Sequence, residues 1–119
     1  YWHPLAAETV AQVKAWNPDR IVLLPLYPQF STTTTRSALQ DWTAQAEKAG
    51  LEAPTAMVCC YPGLAGYIEA SADHIKSAYI RVLQETRDRG LPLPRLLFSA
   101  HGLPKGVIRD GDPYQWQCE

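Results

Sequence analysis

The chain has almost no excess of charge. Eleven Lys and Arg stand against twelve Asp and Glu, a net charge of −1. That balance leaves no basic footprint for nucleic acid or for an anionic membrane surface. Long hydrophobic runs are missing too, and no apolar stretch approaches the roughly 20 residues that a spanning helix requires. There are only three cysteines, and Cys59 and Cys60 are adjacent. An odd count without C-x-x-C spacing argues against a disulfide framework or a thiolate metal site. It predicts core thiols in a reducing compartment. No repeat, low-complexity block or linker interrupts the 119 residues, which are enough for one domain. The chain opens at Tyr1 and stops at Glu119 within an apparent helix start. It is therefore expected to be a piece of a longer protein.

What is present is an alternation of helical periodicity and short apolar runs. Pro4 suits a first helical turn, with Ala6, Val10 and Val13 on one face and Asn17-Pro18-Asp19 as the stop. Ile21 to Leu26 reads as a strand covered on both faces and closed by Pro25. Arg36 to Ala49 reads as a helix stopped by Gly50. Thr55 to Cys60 is the second predicted strand. Residues 66–89 carry a long amphipathic helix whose stripe is Ile68, Ala72, Ile75, Tyr79, Val82 and Leu83, ending at Gly90. Arg95 to Phe98 is the third predicted strand. Asp112-Pro113-Tyr114 reads as an N-cap, a first-turn proline and a new helix. Trp2, Trp16 and Trp42 are expected in the core, and Trp116 in the core or at an interface. Such βαβ units predict an α/β fold with a three-layer, doubly wound parallel sheet. Three strands make a small sheet, so the domain is expected to be incomplete.

In a sheet of this kind ligands bind beyond the carboxyl ends of the strands. Three segments fall there: Tyr27 to Thr35, Tyr61 to Gly66, and Ser99-Ala100-His101-Gly102-Leu103-Pro104. Two aromatic-proline pairs and one histidine suit a flat, largely apolar ligand with a polar centre. His101 is the histidine best placed for chemistry, because an imidazole both exchanges protons and binds metals near neutral pH. A hydrolytic Ser99–His101 pair finds no support, since no orienting carboxylate is identifiable. The Ser31 to Thr35 run could offer backbone N–H groups to an anion. It lacks phosphate-loop spacing, and plain hydroxyl N-capping is the favoured reading. His74 reads as a helix-surface residue. His3 reads as part of a packed edge, with a lesser alternative facing the cleft.

The segment Leu97-Phe98-Ser99-Ala100-His101-Gly102-Leu103-Pro104, followed by Gly111-Asp112-Pro113-Tyr114, closely resembles the signature of the ferrochelatases. Tyr1-Trp2-His3-Pro4-Leu5, Leu24 to Ser31 and Ala72-Asp73-His74-Ile75 agree with the same family, in its order and across nearly the whole chain. Ferrochelatases insert ferrous iron into a porphyrin in haem synthesis. The resemblance implies two similar chelatase-like domains, with residues 1–119 covering much of the second. It implies that His101 is the catalytic and metal-binding histidine, with Tyr27 near the metal path and Ser99 at the substrate. It implies Fe2+ as the substrate metal, a porphyrin partner, and a cytoplasmic bacterial-type enzyme; peripheral membrane contact stays open. Thr32 stands where animal enzymes carry a cluster cysteine, so no iron–sulfur ligand is identified here. The acidic partner of the histidine and most of the porphyrin-gripping wall fall outside this sequence, so the segment alone is expected to be inactive. Two alternatives are retained: a cobalt or nickel chelatase of another tetrapyrrole, which would depend on more than one histidine, and a non-catalytic α/β binding module.

Overall fold

A computed structural model describes residues 3–119. Tyr1 and Trp2 lie outside the described residues, and so does the expectation that Trp2 is core. Helix α1 runs Ala6–Trp16, strand β1 Ile21–Leu23, a π-helical turn Thr32–Arg36 and helix α2 Ser37–Ala49. Strand β2 follows at Thr55–Met57, then helices α3 Ala65–Asp88, α4 Lys105–Arg109 and α5 Tyr114–Cys118. The result is a mixed helix and strand architecture around a parallel two-stranded sheet, of the kind an α/β domain contains.

Local chemistry sets most of these boundaries. Glu8, in the first turn of α1, accepts a hydrogen bond from the Leu5 N–H at 3.0 Å and pairs with His3 Nδ1 at 2.8 Å. The His3 contact, then the Leu5 N–H, holds the Glu8 carboxyl below its usual range. Asn17 closes α1 in the left-handed conformation, which asparagine tolerates better than most residues. Gly50 closes α2 at φ 63°, a position that favours glycine. Lys14 Nζ donates to the Ala49 carbonyl and so ties α1 to the end of α2. The stops predicted at Asn17, Gly50 and Gly90 all fall at helix ends.

The parallel pairing sets Ile21 beside Thr55, Val22 beside Ala56 and Leu23 beside Met57. The Val58 N–H extends the ladder by donating to the Leu23 carbonyl at 2.9 Å. Both strands stop earlier than predicted. Pro25 has no N–H to offer a ladder, so β1 ends before it.

Three expectations are corrected. Residues 95–98 form no strand. Leu96, Leu97 and Phe98 lie open to solvent, Leu97 at 89% exposure. A strand needs a ladder partner, and the sheet among the described residues ends at β1 and β2. The apolar stripe of α3 consequently has no sheet to rest on. Ala72, Ile75 and Leu83 are half-buried, while Ile68, Tyr79 and Val82 are exposed. The third correction concerns the presumed core. Trp16 is 80% exposed and Trp42 is half-buried; of the two places expected for Trp116, its exposure removes the core and leaves the interface. The thiols of Cys59 and Cys118 are also exposed rather than buried.

The most extensive packing joins α1 to α2, the π-turn to α2 and β1 to β2. Among the described residues, Val10 and Ile21 are the buried apolar ones. The Cα radius of gyration is 19.8 Å, against about 14 Å for a compact chain of this length. Much apolar surface is therefore left uncovered.

Candidate functional site

The sequence between Phe98 and Asp112 turns a run of small residues and prolines into a pocket. Pro104 caps the start of the short helix α4. Gly111 takes φ 92°, a conformation that a residue with a Cβ adopts only at a cost, and swings the chain back to Asp112. Asp112 Oδ1 accepts a hydrogen bond from the Tyr114 N–H at 2.9 Å and caps α5, as its place before Pro113 predicted. The pocket formed this way has a volume of about 390 Å³, with Ala100, His101, Leu103, Ile108, Tyr114 and Cys118 in its walls. That lies near the lower end of the roughly 300–1,000 Å³ typical of small-molecule sites.

His101 lines this pocket and is exposed to solvent. The Tyr114 phenol is pushed above its ordinary range, first by the Cys118 side chain and then by burial, while the His101 backbone acts in the opposite direction. The ring of Tyr114 is thus a neighbour of the histidine's main chain. Ser99 is exposed two residues earlier, outside the lining residues. Tyr27, 45% exposed, borders a different pocket of about 270 Å³ with Leu23, Pro25 and Trp42. The structure therefore sets Tyr27 and His101 in separate pockets.

The segment of Tyr27 is nevertheless cross-linked to the one that carries Tyr114, the neighbour of His101. Asp112 is 6% exposed. Its Oδ2 accepts hydrogen bonds from Ser31 Oγ at 2.9 Å, the Thr32 N–H at 2.6 Å and Thr32 Oγ1 at 2.6 Å. Burial acts to raise this carboxyl. The donors from Thr32, Tyr114 and Ser31 outweigh it and hold the pKa at about 2, below the ordinary 3.8. The anion foreseen as an alternative ligand at Ser31 to Thr35 is the chain's own carboxylate. Ser31 Oγ also accepts from the Thr33 N–H, which is the capping role the sequence favoured.

A second tie comes from α5. Gln117 Oε1 accepts a hydrogen bond from the Phe30 N–H at 2.7 Å, and its Nε2 donates to Cys60 Sγ at 3.6 Å. One side chain thereby touches the loops after β1 and β2. A third tie comes from Tyr61, whose N–H donates to the Pro28 carbonyl and whose hydroxyl donates to the Pro25 carbonyl, both at 2.8 Å. These ties join the segments after β1 and β2 to each other and to α5; Ser99 to Pro104, which follows no strand, takes part in none of the three. Sequence reasoning found Asp112 as a cap but missed its reach to Ser31 and Thr32. It missed Gln117 altogether, because a glutamine in a short helix carries no signal of a partner 87 positions away. His74 lies exposed on α3 as expected, and His3 is engaged with Glu8. Among the described residues no group of three or more His, Cys, Asp or Glu is arranged to hold a metal.

These features define a mixed helix and strand protein of α/β type with a parallel strand pair and a pocket lined by His101. The sequence profile of the ferrochelatases matches residues 1–119, and the chain belongs to the ferrochelatase family. It is 48% identical to a ferrochelatase of Hyphomonas neptunium over 120 residues, covering all of this chain and 30% of that protein. It is 50% identical to one of Caulobacter vibrioides over 119 residues and 51% identical to one of Phenylobacterium zucineum over 121, each time covering all of this chain and 32% of the relative. The chain spans about a third of the length of these curated relatives.

Proposed function

We propose that this chain is a segment of an enzyme that inserts ferrous iron into protoporphyrin IX to give protohaem, with His101 at the point of metal entry. The observation that carries the reading is the solvent-open His101 in the wall of the pocket it shares with Leu103, Ile108 and Tyr114. Family membership over all 119 residues supports it.

The reaction fixes what the site must do. Iron enters as Fe2+, two pyrrole N–H bonds break, and two protons leave. A neutral imidazole meets both demands, since its free ring nitrogen accepts a proton or ligates ferrous iron. An exposed ring can pass its proton on to water. Tyr27, in the neighbouring loop, is assigned to the metal path and Ser99 to the porphyrin edge. The pocket volume matches only part of a tetrapyrrole. In this proposal the remainder of a longer ferrochelatase polypeptide supplies the opposite wall and an acidic partner for His101. It also supplies the strands that would complete a three-layer, doubly wound domain, the second of two. The uncovered stripe of α3 and the open Leu96-Leu97-Phe98 segment fit that completion. No helix among the described residues is long and apolar enough to cross a membrane. A cytoplasmic setting belongs to the same proposal.

A single histidine lines the pocket, which favours iron over the cobalt and nickel chelatases that depend on more than one. The experiment is metal insertion by the full-length polypeptide. Ferrous and cobaltous ions are offered separately with protoporphyrin, coproporphyrin and sirohydrochlorin. Ferrous insertion into protoporphyrin is expected. Insertion confined to cobalt and sirohydrochlorin would transfer the site to the alternative, and porphyrin binding without any insertion would make the protein a binding module.

A further inference from the structure

We infer that Asp112 is a positioning residue that locks the loop of Tyr27 to the loop of His101. The inference rests on the assignment of His101 proposed above. Its ground is a juxtaposition of segments 80 positions apart. One carboxylate, almost wholly buried, takes donors from Ser31 and Thr32 on one side and from the Tyr114 N–H on the other.

Each oxygen has its own task. Oδ2 gathers the Ser31 hydroxyl and both the N–H and hydroxyl of Thr32, at the start of the π-turn that leads into α2. The positive end of that helical segment favours a negative charge there. Oδ1 holds the first turn of α5, whose Tyr114 stands beside the His101 backbone in the pocket wall. Ser31 in turn closes the segment that begins at Tyr27. Loss of the carboxylate would therefore free the segments of Tyr27 and His101 to move independently of each other. Asp112 itself lies outside the pocket lining, so it acts through the loops rather than on substrate.

A carboxylate suits this task better than an amide. Three donors converge on Oδ2 alone, and an ionised oxygen accepts such donors more strongly than a neutral carbonyl. The side-chain NH2 of an asparagine would present hydrogens to one of the two donor sets. Misplacement of a reacting group by about 1 Å is enough to cost on the order of 100-fold in rate.

The test uses the full-length polypeptide with Asp112→Asn, Asp112→Glu and, as a milder probe, Thr32→Val. Ferrous insertion into protoporphyrin is measured per folded molecule, with the folded fraction read by circular dichroism. Asp112→Asn is expected to lower kcat at least about tenfold while the porphyrin KM stays within about threefold. Asp112→Glu, which keeps the charge, is expected to recover part of the loss. Should Asp112→Asn fail to fold, Thr32→Val removes only one donor and is expected to lower kcat about threefold. An unchanged kcat per folded molecule in Asp112→Asn, or in Thr32→Val where only that variant folds, overturns the inference. His101→Ala run in parallel separates the two levels. If it stays active, the assignment of His101 fails. If it is inactive while the Asp112 variant is fully active, only the positioning role fails.

Discussion

Protonating one buried carboxyl should loosen the rim of the site at a defined pH. Asp112 is held at a pKa of about 2, against an ordinary 3.8, because its hydrogen bonds favour the ionised form more than burial opposes it. A carboxyl depressed on folding contributes stability that is fully present above its ordinary pKa, near pH 5 and higher. That contribution fades as pH falls from about 4 toward 2. A shift of this size corresponds to about 2 kcal/mol at neutral pH, of which about half is lost by pH 3. Comparison of the full-length protein with Asp112→Asn isolates the term, since all other titrating groups are shared. Urea unfolding of both proteins between pH 6 and pH 3 is the assay. The stability gap is expected to narrow by about 1 kcal/mol over that range. A gap that is constant with pH would refute the reasoning, because Asp112 would then titrate normally in the folded state.

Three further outcomes follow from the same contacts. Gln117→Leu removes the acceptor of the Phe30 N–H, a part-buried donor at 2.7 Å, and is expected to lower urea-unfolding stability by about 1–3 kcal/mol. Gly50→Ala places a Cβ at φ 63° and within 3.6 Å of Lys14 Nζ; a loss of about 1 kcal/mol is expected in the same measurement. The 119-residue segment by itself, with the α3 stripe and Leu96 to Phe98 open, is expected to bind an apolar dye such as ANS strongly. The full-length polypeptide should not, and equal dye fluorescence from the two would count against coverage of those surfaces by the rest of the chain.

Local signals carried far in this sequence where one residue decides one event. Asn17, Gly50 and Gly90 stop helices because their backbone chemistry alone suffices. Asp112-Pro113 announced a cap for the same reason. The strand at 95–98 failed because its apolar residues specify burial only when neighbours exist, and no pairing partner stands beside them. Trp16 and the α3 stripe failed with it, since a hydrophobic face says that it needs cover and not where the cover comes from. The site divides along the same line. His101 was legible from an apolar run leading into a small-residue turn, and it does line an open pocket. The ties through Asp112 and Gln117 were not legible, because they join positions 80 and 87 apart and depend on how the loops fold back.

The geometry has a consequence for how the site holds its shape. Tyr61, Gln117 and Asp112 bind the segments after β1 and β2 to one another and to the start and body of α5 through polar contacts rather than through a hydrophobic core. Half-satisfied networks of this kind are costly, yet among the described residues no buried side-chain nitrogen or oxygen lacks a partner. The rim can therefore be set locally even where the surrounding apolar surface is still uncovered.

In the proposed reaction the His101 imidazole handles both the protons and the iron. Steady-state ferrous insertion into protoporphyrin by full-length His101→Ala tests it most directly, with porphyrin binding followed separately by fluorescence. A kcat at least about 100-fold below that of the parent protein, with porphyrin still bound, is expected. Turnover close to that of the parent would contradict it.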